Sequence, residues 1–207
     1  MNLRSAKFAS VDLETTGLNP KKDEILAVGI VPLDGMRILA GNAYYTLVRP
    51  EKFKVEAVKI HGLDPKLLKG APTFEEVADE IYDMIHDRIL VGHAVYLDYE
   101  FLRRAMNRVG FELTNDVIDI ATLELVIADR LGEKVVWEDQ TLEGLAEKYG
   151  VKCSYRHNAL ADAFIAAQIF QMQLLKLIKY GVNTLEKMLE LLESTSNSKG
   201  RFSFLNF

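Results

Sequence analysis

From Phe8 to Glu14 the chain alternates, with Ala9, Val11 and Leu13 on one side and Ser10, Asp12 and Glu14 on the other. A period of two is the signature of a strand with unlike faces. Ile25 to Val31 is an unbroken apolar run, which predicts a strand covered on both sides. Tyr44 to Val48 predicts a third strand beyond the turn at Asp34-Gly35, and such short connections favour antiparallel neighbours. The spacing then lengthens to that of helices. Thr73 and Glu76 form a capping box ahead of Phe74, Val77, Ile81 and Ile85. Leu97, Phe101, Leu102, Ala105 and Val109 mark the face of a second helix that stops at Gly110. Ile89 to Val91 and Val117 to Ile120 read as short strands between them. Further helices are predicted near Thr122–Leu131, Thr141–Tyr149, Ala159–Tyr180 and Thr184–Leu192, the last capped by Asn183 and Glu186. Strands first, then strands alternating with helices, predict an α/β fold with a mixed sheet in layers.

Composition narrows this picture only slightly. The 207 residues suit a single domain spanning 1–193, followed by a flexible polar hinge and an apolar tail over 194–207. Apolar residues are 49% and charged residues 27%, ordinary for a soluble chain. The lone Cys153 excludes an internal disulfide and a cysteine-rich zinc site. MNLRSAKFAS lacks the apolar core of a secretory leader. The most apolar stretch, Ala159 to Ile178, is broken by Asp162, Gln168, Gln171, Gln173 and Lys176, so it reads as a buried helix, not a membrane span. The expectation is a cytoplasmic protein. A formal net charge of −5 argues against a surface that coats nucleic acid by bulk attraction, but not against a small site whose positive charge comes from bound metal.

The chemistry lies in a few acids. Asp12 and Glu14, two apart on a strand, point the same way and repel unless a cation lies between them. Hard oxygen donors of this kind suit Mg²⁺ or Mn²⁺. Asp98 begins a helix whose N-terminal partial charge favours its ionised form. His157 and Asp162, five apart, cannot share one helix face, which places His157 on the preceding loop and Asp162 in the helix's first turn. An imidazole beside a metal-bound water is a candidate general base. Each residue alone has a plainer explanation: an acidic strand end, a helix cap, a surface histidine.

Taken in order, DLETTG at 12–17, GHAVYLD at 92–98 and HNALADA at 157–163 resemble the three motifs of the DEDDh group of DnaQ-like exonucleases. That group includes the proofreading epsilon subunit of bacterial replicative polymerase, the exonuclease domain of polymerase C, and oligoribonucleases. The resemblance covers roughly residues 7 to 175. It implies a ribonuclease H-like fold whose five-stranded sheet has three antiparallel strands followed by two parallel ones. It also implies 3′→5′ hydrolysis that releases nucleoside 5′-monophosphates with two Mg²⁺ or Mn²⁺ ions. Asp12, Glu14, Asp98 and Asp162 would be the metal ligands and His157 the base. Thr15, Thr16 and Gly17, with His61 in the segment Ile60-His61-Gly62-Leu63, would meet the terminal nucleotide.

Two positions depart from the second motif, usually G-H-N-A-x-F-D: Ala94 stands for Asn and Leu97 for Phe. The spacing from His93 to Asp98 is kept, so substrate positioning is affected more than metal binding. Asp119 reads as a helix cap and His93 as structural. Arg104 and Arg108 share a helix face that either guides a strand or is simply solvated. The tail RFSFLNF, with Phe202, Phe204, Leu205 and Phe207, either folds back or docks on a partner: a DNA polymerase, a sliding clamp or a sister subunit in a homodimer. The expected substrate is the single-stranded 3′ end of DNA. RNA trimming is the alternative within the class, and an inactive ribonuclease H-like binding module the alternative outside it.

Overall fold

A computed structural model describes residues 1–51, 62–133 and 137–198. The strands are β1 (Lys7–Thr15), β2 (Ile25–Asp34), β3 (Arg37–Ile38), β4 (Tyr44–Leu47), β5 (Ile89–Gly92) and β6 (Val117–Asp119). The helices are α1 (Pro65–Gly70), α2 (Phe74–Ile85), α3 (Val95–Arg108), α4 (Ile120–Leu131), α5 (Leu142–Tyr149), α6 (Ala159–Lys179) and α7 (Leu185–Ser198). The sheet order is β3-β2-β1-β5-β6, with β4 also pairing β2. β1, β2 and β4 run antiparallel, while β5 and β6 join in parallel. This is the expected mixed sheet, widened by the two-residue strand β3. Gly35, at φ 57, makes the tight β2–β3 turn that a side chain would strain.

The alternation in β1 sorts the molecule into layers. Ala9, Val11 and Leu13 face a core built with α2 and α3, including Ile81, Ile85, Phe101 and Leu102. Phe8 faces a second core built with α4, α5, α6 and α7. Its ring meets Phe170 of α6 edge-on at 4.9 Å between centroids. The near-continuous burial of β2 follows from being covered on both sides. α6 is long and apolar enough to cross a membrane, yet its buried residues, Ala163, Ala167, Phe170 and Leu174 among them, pack in this second core. Glu124 of α4, fully buried, accepts from Tyr149 Oη (2.5 Å) and Gln173 Nε2 (3.0 Å) and pairs with Lys148 Nζ (2.8 Å). These contacts tie α4, α5 and α6 together, although Gln173 Oε1 is buried without a hydrogen-bond partner.

Several boundaries differ from expectation. α1 was not foreseen, although Asp64 caps it and Pro65 opens it. Thr184, not Asn183, caps α7, its hydroxyl accepting the Lys187 N–H at 3.4 Å, while the Asn183 carbonyl accepts from Leu3. α7 also continues to Ser198, into the stretch read as a hinge; serine and threonine are weak helix formers, not breakers. The tail 201–207 and His61 lie outside the described residues.

Candidate metal centre

Asp12 and Glu14 occupy the face of β1 turned towards α6, and the antiparallel register sets Gly29 of β2 against Asp12. A Cβ on Gly29 would lie 2.3 Å from the Ala159 backbone, so only a glycine lets the first turn of α6 rest directly on the sheet. Asn158 caps that turn, its side chain accepting the Ala161 N–H at 3.1 Å. The cap fixes where α6 starts, and Asp162 therefore falls in its first turn. Carboxylate oxygens of Asp12, Glu14 and Asp162 lie within 4.8 Å of one another. Glu14 and Asp162 are each only 5% exposed.

Asp98 faces this cluster from the opposite layer, outside the group of three that lie within 4.8 Å, and its charge acts on Asp12. β1 and β5 pair only from Phe8–Ser10 against Ile89–Val91. The strands then part, Ala94 takes a left-handed φ of 54, and α3 begins. The opening leaves the Leu13 backbone N–H to donate to the Asp98 carboxylate. Burial first, and then the charge of Glu14, hold the Asp98 carboxyl well above the usual carboxylate range, against the pull of Leu13. Burial likewise raises Asp12, followed by the charges of Asp98, Asp162 and Glu14, with Arg156 opposing. Asp119 caps α4, accepting the Thr122 N–H at 2.8 Å as expected.

These residues fit a divalent cation. The donors are all hard oxygens, crowded at mutual repulsion, and Asp162 Oδ1 is buried with no hydrogen-bond partner. An orphaned buried acceptor costs about 1–3 kcal/mol, which a bound cation would offset.

His157 precedes the cap on a strained loop, with Tyr155 at φ 61 and His157 itself at φ 64. Its imidazole is exposed, as the sequence predicts for the loop position, and its backbone N–H donates to Asp162 Oδ2 at 3.2 Å. Thr15 ends β1, and Thr16 and Gly17 lie in the bend that follows. Thr15 Oγ1 donates to the Gly17 carbonyl at 2.7 Å. Thr16 is buried, and its hydroxyl accepts the Glu24 N–H at 2.9 Å, so it braces the turn. Gly17 is held against Asp23, whose carboxylate a Cβ would approach to 2.5 Å. His93 bonds the Gln140 carbonyl at 2.8 Å, a structural tie. Arg103 and Arg104 both pair with Glu100 of their own helix.

Two contributors escaped the sequence reading. Gly29 looked like one more small residue in an apolar strand. Arg156 was visible only as the residue before His157, yet its guanidinium pairs with Asp162 Oδ2 and, at 2.6 Å, with Glu143 Oε1 of α5.

Residues 10–170 match the sequence profile of a family described as Exonuclease. The chain is 33% identical over 184 residues to the DNA polymerase III subunit epsilon of Aquifex aeolicus, covering 87% of each. It is 32% identical over 185 residues to the PolC-type DNA polymerase III of Thermotoga maritima, covering 88% of this chain but only 13% of that protein. The chain thus spans a small part of the length of its PolC-type relatives. Among solved structures, E. coli Exonuclease I in complex with a dT13 oligonucleotide superposes with a TM-score of 0.70 at 19% identity, over 90% of this chain and 46% of that one. Exonuclease X in complex with 5′ overhanging duplex DNA gives 0.65 at 21% identity, over 89% and 99%. At such identity these likenesses establish the ribonuclease H-like fold.

Proposed function

Since the chain belongs to the DnaQ-like exonuclease family, we propose that it removes nucleotides from the 3′ end of DNA, releasing nucleoside 5′-monophosphates. The observation that carries this reading is the convergence of Asp12, Glu14 and Asp162 within 4.8 Å. Two bound Mg²⁺ or Mn²⁺ ions would supply Lewis-acid stabilisation of the phosphodiester and an acidified water. Asp12, Glu14 and Asp162 would hold one ion, Asp12 would also contribute to the second, and Asp98 would support the site from α3. The His157 imidazole accepts the proton of the attacking water at a ring nitrogen. Thr15, Thr16 and Gly17, with His61, shape the place of the terminal nucleotide. The relatives named as polymerase III components support a role beside a polymerase in the cytoplasm. Phe202, Phe204, Leu205 and Phe207 are the docking segment in that arrangement, for a polymerase, a sliding clamp or a second copy.

The test is digestion of 5′-labelled single-stranded, duplex and mismatched-end DNA and RNA with Mg²⁺, Mn²⁺ or Ca²⁺. Stepwise shortening from the 3′ end is expected with Mg²⁺ and Mn²⁺ and little with Ca²⁺, whose looser coordination misplaces the water. Asp12→Ala should abolish it, and His157→Ala should slow it by about 10²- to 10⁴-fold. Faster shortening of RNA than of DNA would reassign the substrate. Intact oligonucleotides under every condition would end the enzymatic reading and leave a binding module.

A further inference from the structure

We infer that Arg156 is a positioning residue that makes Asp162 a one-oxygen ligand, and that it thereby sets the preference of the site for small six-coordinate dications over Ca²⁺. The inference rests on the metal-binding reading above. The two oxygens of Asp162 have unlike surroundings. Oδ2 receives the Arg156 guanidinium and, at 3.2 Å, the His157 backbone N–H. Oδ1 is buried and has no hydrogen-bond partner. Arg156 is itself held from behind, where its Nε donates to Glu143 Oε1 at 2.6 Å. A planar guanidinium anchored at two points fixes the plane of the carboxylate it grips. α5 therefore reaches the metal site through Glu143 and Arg156, although it supplies no ligand.

The chemical consequence is selective. Mg²⁺ and Mn²⁺ take octahedral shells of single oxygens, whereas Ca²⁺ takes six to eight and often both oxygens of one carboxylate. A carboxylate with Oδ2 already engaged offers only Oδ1. Freed from Arg156, Asp162 can present both. Removing a positive charge also tightens binding of every dication alike, so the ratio of two affinities isolates the geometric effect.

The experiment is calorimetric titration of Mn²⁺ and of Ca²⁺ into the full chain without nucleic acid, for the wild type, Arg156→Gln, Arg156→Lys and Glu143→Gln, with thermal melts alongside. The Mn²⁺-to-Ca²⁺ affinity ratio should fall by about tenfold in Arg156→Gln, the scale on which residues behind metal ligands act. Arg156→Lys keeps the charge but cannot span Glu143 and Asp162, so its ratio should fall too. Glu143→Gln touches no ligand and should shift the ratio in the same direction by less, which carries the test if Arg156→Gln does not fold. Variants that bind both ions with the wild-type ratio would overturn the inference and leave the proposed function standing. A wild type that binds neither ion would overturn both.

Discussion

Ala94 carries a cost that its neighbours do not relieve. It enters α3 at φ 54 with no side-chain cap, and an alanine Cβ is crowded in the left-handed region. The similar family has asparagine there, which tolerates this conformation. Ala94→Asn should stabilise the protein by about 1 kcal/mol, a rise in Tm of about 2–4 °C for a chain of this size. A thermal melt checks it, and an unchanged or lower Tm would remove the strain explanation. At this scale the sequence was informative wherever a motif carried it. The acids of DLETTG and the His157–Asp162 spacing could be placed on their strand, loop and helix in advance because strand and helix periods dictate where such side chains point. Arg156 could not be told from any surface arginine, because its partners Glu143 and Asp162 sit on the two helices that flank its loop, Glu143 13 residues before it.

Elements meet at the site through backbone contact, which patterns of side chains do not record. Gly29 is the example. Its opposite number is Asp12 and its other neighbour is the first turn of α6. Gly29→Ala would drive a methyl into the Ala159 backbone, costing about 1–3 kcal/mol as overpacking does. It should also lift Asp162 from its partners, so Mn²⁺ affinity should fall by more than stability alone explains. Calorimetry on the folded variant decides: affinity equal to wild type would mean that Asp162 is placed by something other than this seat. Long periodic elements were legible in advance, and β3 and α1, with two and six residues, were not. Elements that short hold too few residues for a period to emerge; their evidence is turn chemistry at Gly35 and the Asp64-Pro65 pair.

For the whole molecule, the crowded acids link metal, pH and stability. Asp12 and Asp98 have raised carboxyl pKa values, for which burial is the first cause. A raised folded-state value stabilises at low pH, and that contribution is lost as pH rises through it. A dication reverses the sign by favouring the ionised acids. The gain in Tm on adding Mn²⁺ should therefore be larger at pH 8 than at pH 5, and Asp12→Asn should flatten this difference. Paired melts at the two pH values measure it, and a Mn²⁺ increment independent of pH would contradict the linkage. Asp98 comes from the layer of α3, and Asp162 from the layer of α6 on the other side of the sheet. A cation held between them acts as a rivet through the sandwich. By mass action it would fasten two separate cores into one cooperative unit, so a cavity cut deep in either should be felt as weakened metal affinity at the rim.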